Sequence, residues 1–168
     1  NNFPGTVTAH TTYKVLSNNT LDITFDATTD KETVVNMTNH SYFNLNGDPS
    51  KEGTNMWLYL NADNYTPADS TYMTTGEILP VEGTPMDFRK AHALSQTIND
   101  TSFEQIRNAS GYDHNWCLNT YKDGKGDDTK VCAVLWSPLT KIGLSMYTNE
   151  PGVQVYTGNF QGTGVSCK

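Results

Sequence analysis

The chain has 168 residues, with 11 Lys and Arg against 18 Asp and Glu, a formal charge of −7. That balance argues against duplex nucleic acid, whose binding rests on Lys and Arg neutralising phosphates. No run of about 18 apolar residues exists, which excludes a transmembrane helix and leaves no membrane partner, while an aromatic content of 11% is too high for a disordered chain.

The predicted elements are mostly strands. From Thr6 to Ala27 apolar positions alternate with polar ones on both sides of Ser17-Asn18-Asn19-Thr20, the pattern of a β-hairpin. His10 falls on its polar face. A third strand is expected over Glu32 to Met37. A fourth, over Met56 to Asn61, is apolar at successive positions and reads as a strand covered on both faces. Tyr65 to Gly83 is irregular, with Pro67, Gly76, Pro80 and Gly83, and reads as a long structured loop. Asp87 to Ile98, which includes His92, is the one stretch read as helical. Strands resume at Trp116, Lys130 to Trp136, Ile142 to Thr148 and Val153 to Thr157. Lys122 to Asp128 reads as a polar hairpin tip, and its aspartates lack the ligand spacing of a calcium loop. The sum is an all-β, antiparallel sandwich in a single stretch without repeats or linkers. Asn1 is not Met and no signal-peptide pattern is present, so a leader or preceding segment is expected to have been lost.

The familiar catalytic signatures are absent: no G-x-S-x-G, no G-x-x-x-x-G-K-[ST], no H-E-x-x-H and no usable G-x-G-x-x-G. The three cysteines, Cys117, Cys132 and Cys167, have no C-x-x-C spacing and read as reduced thiols, neither a disulfide framework nor a zinc site. Six Asn-x-Ser/Thr sequons, beginning at Asn18, Asn36, Asn39, Asn64, Asn99 and Asn108, are expected to carry no glycan in so Asn- and Thr-rich a chain. Trp57, Trp136 and Trp116 offer stacking surfaces for a ligand, with core packing the alternative. Three segments concentrate usable chemistry. Thr38 to Gly47 crowds hydrogen-bonding side chains around His40 and suits a hydroxyl-rich ligand. Asp113, in Gly111-Tyr112-Asp113-His114-Asn115-Trp116, sets a carboxylate between aromatics, either to hold sugar hydroxyls or to satisfy a turn. Glu150 precedes Pro151 and is held extended, pointing into a cleft or ending a strand.

Together these segments resemble the aldose 1-epimerases, or galactose mutarotases. Asn36-Met37-Thr38-Asn39-His40-Ser41-Tyr42-Phe43-Asn44-Leu45 is similar to that family's N-[LM]-T-N-H-[ST]-Y-F-N-L signature. Gly111 to Asn115 is similar to its G-[YF]-D-H-N element, and Glu150 to Asn159 to its [EQ]-P-G-[VL]-Q-x-Y-T-G-N element. Phe3-Pro4-Gly5 resembles a mid-chain [YF]-P-G. The resemblance spans essentially the whole chain and implies a partial antiparallel β-supersandwich over residues 1–168, with the N-terminal portion and the C-terminal end of the family's domain missing.

The resemblance also implies a reaction: interconversion of the α and β anomers of galactose, glucose and related aldohexoses through ring opening, without metal or cofactor. His40 then takes the role of the acid that protonates the ring oxygen. Ser41 and Tyr42 line the pocket beside it, and Asp113 and Glu150 hold sugar hydroxyls. The family's base lies in an L-E-[TP]-Q segment that nothing after Asn159 matches, and its N-terminal pocket Arg and second His have no counterpart here. A monosaccharide is the only partner implied, with oligomeric state open. The cytoplasm is the implied location, an exported form being the alternative. Two other readings compete: a sugar-binding β-sandwich that kept the pocket without the base, and a hexose-6-phosphate epimerase, against which stand only two arginines, Arg89 and Arg107.

Overall fold

A computed structural model describes residues 3–48 and 50–161, which form two compact units, Asn1–Tyr42 and Phe43–Lys168. The first unit is the expected hairpin. Strands β1 (Val7–Val15) and β2 (Leu21–Thr29) pair antiparallel from Val7↔Thr29 to Val15↔Leu21. Residues directly opposite share a face, so Tyr13 joins Ile23 and Phe25 on the apolar side. His10, opposite Asp26, lies on the polar side, where Lys14 meets Asp22 at 3.9 Å. The turn closes through Leu16 N–H to the Thr20 carbonyl, with Asn19 left-handed at φ 61°, a conformation Asn tolerates. The expected third strand is not formed. Residues 32–44 run on without a ladder, because an alternating pattern marks extended chain and a strand exists only through a partner.

The second unit holds two four-stranded antiparallel sheets. One has the order β11-β10-β3-β6, from Gly143–Met146, Ala133–Trp136, Trp57–Leu60 and His92–Ala93. The other has the order β12-β7-β4-β5, from Gly152–Tyr156, Asp113–Cys117, Asn64–Thr66 and Leu79–Pro80. Leu58, Leu60, Ala133 and Leu135 from the first sheet share one core with Tyr65, Trp116, Val153 and Val155 from the second, and Phe88, Met86 and Tyr112 fill it out. The architecture is all-β and sandwich-like. The small hairpin β8–β9 (Tyr121–Lys122, Lys125–Gly126) turns through Asp123 and Gly124, both at positive φ, the geometry of a primed two-residue turn.

Three expectations are corrected here. Strand β3 is not covered on both faces: Leu58 and Leu60 are buried, but Trp57 is exposed and meets Trp136 edge-on at 6.2 Å. The stretch from Tyr65 to Gly83 is not one loop, since it supplies β4, β5 and an Ala68↔Thr74 bridge. Asp87 to Ile98 is not a helix: Phe88 enters the core, His92–Ala93 pairs with β3, and only Leu94–Gln96 turns, as a 3-10 segment. Among the described residues the α-helix is α1 (Glu104–Ala109), six residues ended by Ser110 and Gly111 at positive φ. Fewer than two turns carry too little periodicity to read from sequence.

Candidate functional site

In the first unit His40 sits at the centre of a side-chain-closed turn. The Ser41 backbone N–H donates to Asn39 Oδ1 at 3.1 Å, an Asx turn with His40 as its middle residue. Asn39 Nδ2 donates to the Tyr13 hydroxyl on β1, also at 3.1 Å. The rings of His40 and Tyr42 lie 5.2 Å apart, tilted by 53°. His40, Ser41 and Tyr42 are all exposed, so the three residues read from the motif stand together on one accessible turn.

The rest of that polar run serves a different purpose. Asn46 is buried in the second unit, where its Nδ2 donates to the Glu52 carbonyl and to Asn55 Oδ1, each at 2.8 Å. Its Oδ1 accepts from Ser137 Oγ at 2.7 Å. Asn44 Nδ2 donates to the Lys51 carbonyl at 2.9 Å. Both amides bond within the fold, and the buried Asn46 is satisfied as a buried polar group must be. The crowding from Thr38 to Gly47 is therefore not one ligand-facing cluster.

In the second unit the centre of interest is the outer face of the β12-β7-β4-β5 sheet. Burial alternates along β7: His114 and Trp116 point into the core, while Asp113, Asn115 and Cys117 are half-buried on the opposite face. The register sets Tyr156 beside Asp113, Gln154 beside Asn115 and Gly152 beside Cys117, all on that outer face. Gln154 Nε2 donates to Asp113 Oδ1 at 2.8 Å, and Asn115 Nδ2 reaches Thr66 Oγ1 on β4 at 3.4 Å. Gly152 makes room for this row, since a Cβ there would run into Asn115 Oδ1. The result is a strip of carboxylate, amides and hydroxyls backed by the aromatic core, the surface a polyhydroxylated ligand needs.

The two motifs that build this strip are laced together at one end. Asn159 Nδ2 donates to the carbonyls of Ala109 (2.8 Å) and Tyr112 (2.9 Å), and the Tyr112 N–H donates to Thr157 Oγ1 at 3.0 Å. Gly111, at φ 137°, leaves space that a Cβ would fill against Asn159 and Thr157. Thr157 and Asn159 thus hold the start of β7 to the end of β12 and fix the height of Asp113.

Glu150 is exposed, and its backbone N–H donates to Thr148 Oγ1 at 3.1 Å. It precedes the Gly152 end of β12, whereas Asp113 faces Tyr156 at the other end, about 13 Å of strand away. The structure brings Gln154, not Glu150, to Asp113. Gln154 lies within the Glu150 to Asn159 segment, and nothing in the sequence sets it apart from its neighbours. The missing signal was the β7–β12 register, which alone reveals that Asp113 and Gln154 share a face.

His114 backs the strip from the core side, 3% exposed, its Nδ1 accepting the Asp113 backbone N–H at 3.1 Å. Burial holds its pKa below the ordinary His value, against the opposing pull of the Asp113 charge. A lowered His pKa means the unfolded chain takes up the proton first, so stability is complete above about pH 6.5 and declines as pH falls below it. The urea midpoint is therefore expected to be lower at pH 5.5 than at 7.5, and His114→Gln to lose most of that difference. An unchanged pH slope in the variant would exclude His114 as its source.

A separate cleft of about 650 Å³, lined by Gly83, Thr84, Asp87, Arg89, Lys90 and His92, contains none of His40, Ser41, Tyr42, Asp113 and Glu150. Its guanidinium is committed: Arg89 Nε and Nη2 donate to the two Asp87 oxygens at 2.9 and 2.7 Å, holding that carboxyl below its usual range. Trp116 is wholly buried and no stacking surface. Cys117 and Cys132 form no disulfide, and burial pushes both thiols up, while Cys167 lies outside the described residues. Among the described residues no group of His, Cys, Asp and Glu could hold a metal ion.

Comparison with known proteins bears on these arrangements. The family model for aldose 1-epimerase matches residues 1–168. The aldose 1-epimerase of Escherichia coli (strain K12) is 40% identical over 161 residues, which cover 95% of this chain and 44% of that protein. The galactose mutarotase of Homo sapiens is 38% identical over 159 residues, 94% of this chain and 43% of that one. The solved galactose 1-epimerase from Lactobacillus acidophilus NCFM superposes with a TM-score of 0.80 at 32% identity, covering 94% of this chain and 43% of its own. The chain thus spans less than half the length of these relatives.

Proposed function

Because the chain belongs to the aldose 1-epimerase family, we propose that residues 1–168 are part of a galactose mutarotase-like domain that interconverts the α and β anomers of aldohexoses such as galactose and glucose. The observation that carries this reading is the Asp113–Gln154 pair on the outer sheet face, 2.8 Å apart and flanked by Asn115 and Thr66. Asp113 accepts hydrogen bonds from sugar hydroxyls. Gln154, having given one N–H to Asp113, keeps a second N–H and a carbonyl for the sugar. Unphosphorylated sugars fit better than sugar phosphates, since Arg89 is taken by Asp87 and Arg107 by the Thr101 carbonyl at 3.1 Å.

His40 is the proton donor in this reading. Its proton passes to the ring oxygen O5 as the C1–O5 bond breaks with its electron pair on O5. The proton of the anomeric hydroxyl leaves to a base and C1 becomes the aldehyde carbon. Rotation about C1–C2 presents the other face of the carbonyl, and the reverse transfers close the opposite anomer. An imidazole suits this task because its ordinary pKa of about 6.5 lies near working pH. Ser41 and Tyr42 contact the sugar beside it. The base is not assigned to any residue of this chain.

No helix among the described residues is long and apolar enough to cross a membrane. The cytoplasm is the compartment we favour, with Cys117 and Cys132 unpaired in support. Polarimetry on the protein translated from the complete reading frame that encodes this chain tests the function. Mutarotation of α-D-galactose or α-D-glucose well above the buffer rate is expected, and a rate no faster than buffer on both sugars would sink the reading.

The two candidate hydroxyl-binding groups, Gln154 on β12 and Glu150 just before it, are separated by substitution. Gln154→Ala is expected to raise KM about tenfold, the upper worth of one neutral hydrogen bond to the sugar, while Glu150→Gln is expected to stay within about twofold. The opposite ranking in steady-state kinetics would move the contact back to Glu150.

A further inference from the structure

We propose that Tyr13 and Asn39 are positioning residues for His40, with the Tyr13 hydroxyl fixing the amide that closes the turn around it. The inference rests on the reading of His40 as proton donor. Residues 32–44 carry no ladder, so no sheet dictates where His40 stands. The hairpin's backbone pairing ends at Asp30 N–H to the Thr6 carbonyl, and the side chain of Thr29 holds only as far as Lys31. The next fixed point along the chain is Asn39.

Both ends of the Asn39 amide are used, and chemistry decides which end does what. The Ser41 backbone N–H can only donate, so Oδ1 must face it. That turns Nδ2 toward Tyr13, whose hydroxyl oxygen must accept. Tyr13 in turn is not mobile about the turn, because it lies within the paired length of β1, opposite Ile23. A paired strand therefore holds one amide, and the amide holds the residue after His40. The tilted Tyr42 ring lies 5.2 Å from the imidazole. Proton transfer to a ring oxygen tolerates little misplacement, and a donor on an unpaired segment needs such an anchor.

The test is kinetic and spectroscopic, on the protein from the complete reading frame, with His40→Asn as reference. Tyr13→Phe keeps the ring and removes only the acceptor. It is expected to lower kcat about five- to tenfold with KM within about twofold and the melting temperature unchanged, because a single hydrogen bond is lost. Asn39→Ala is expected to lower kcat further and to speed hydrogen exchange of the Ser41 amide. The double variant is expected to match Asn39→Ala alone, since the hydroxyl acts only through the amide. Asn39→Asp keeps the acceptor for Ser41 and can accept a hydrogen bond from the Tyr13 hydroxyl, the reverse of the wild-type direction. It is expected to recover part of the lost kcat and to shift the alkaline limb of the kcat profile upward, as a carboxylate beside the imidazole would.

Wild-type kcat in both Tyr13→Phe and Asn39→Ala, with His40→Asn inactive, overturns the proposal and leaves the proton donor standing. Fully additive losses in the double variant overturn it as well. Unchanged kcat in His40→Asn removes the proton-donor reading, and the tether loses its catalytic meaning with it.

Discussion

His40→Asn is expected to lower kcat for galactose and glucose by about 10²–10⁴-fold while KM changes less than about threefold, the range that a well-placed general acid contributes. Asn approximates the volume of the imidazole and still donates a hydrogen bond to a sugar oxygen. What it lacks is a transferable proton, so ground-state contact survives and the transition state loses its donor. The turn itself is expected to persist, because its closure runs through Asn39 and Ser41 rather than through the His40 side chain. Stopped-flow polarimetry of the variant checks the effect, and melting curves check that the hairpin unit stays folded. Equal losses of kcat and stability would point to a folding defect. A large rise in KM at constant kcat would make His40 a binding residue and vacate the acid role.

The fold was legible where a local pattern sufficed. The β1–β2 hairpin follows from alternation bounded by turn residues, the β8–β9 tip from its polar turn residues, and strands form around Trp116, Val134, Leu144 and Val155 as expected. What failed depends on pairing partners that no local window contains. Glu32 to Met37 alternates yet finds no ladder, and Asp87 to Ile98 gives its apolar residues to a core contact and a two-residue strand instead of a helix. The same logic governs the candidate site. His40, Ser41 and Tyr42 are neighbours in sequence and on one turn, so the motif alone located them. Asp113 was found by type, a carboxylate among aromatics. Its partner Gln154 lies 41 positions away and becomes visible only through the register Asn115↔Gln154. Asn44, Thr157 and Asn159 show the converse: polar residues inside motifs that hold carbonyls and amides of the fold itself. A motif therefore mixes residues that meet a ligand with residues that keep those in place, and hydrogen-bond partners separate the two classes.

Trp116→Ala is expected to destabilise the second unit by about 3–5 kcal/mol, the cost of deleting a large aromatic side chain from a packed core. Trp116 is 0% exposed and lies within β7, with the Phe88 and Tyr112 rings each 6.0 Å away and His114 edge-on at 6.4 Å. Its Nε1–H donates to the Met86 carbonyl at 2.9 Å. That carbonyl also accepts the Phe88 N–H at 3.1 Å, so it keeps a partner in the variant, and the cavity, not an orphaned acceptor, accounts for most of the loss. Domains have about 5–15 kcal/mol in total, so the change consumes a large share. At a urea slope of about 2 kcal/mol/M the midpoint should fall by about 2 M. Trp116→Phe, which refills much of the cavity, is expected to lose clearly less. The functional consequence follows from the side on which the residue lies. Trp116 points inward from the same strand that carries Asp113 and Asn115 outward, so below its own unfolding transition the variant is expected to keep its KM. As urea rises, sugar turnover should vanish together with the sheet. A midpoint shift under about 0.5 M would mean the core closes around the deletion, and a KM defect in the folded variant would mean that the strip around Asp113 is held in shape from beneath.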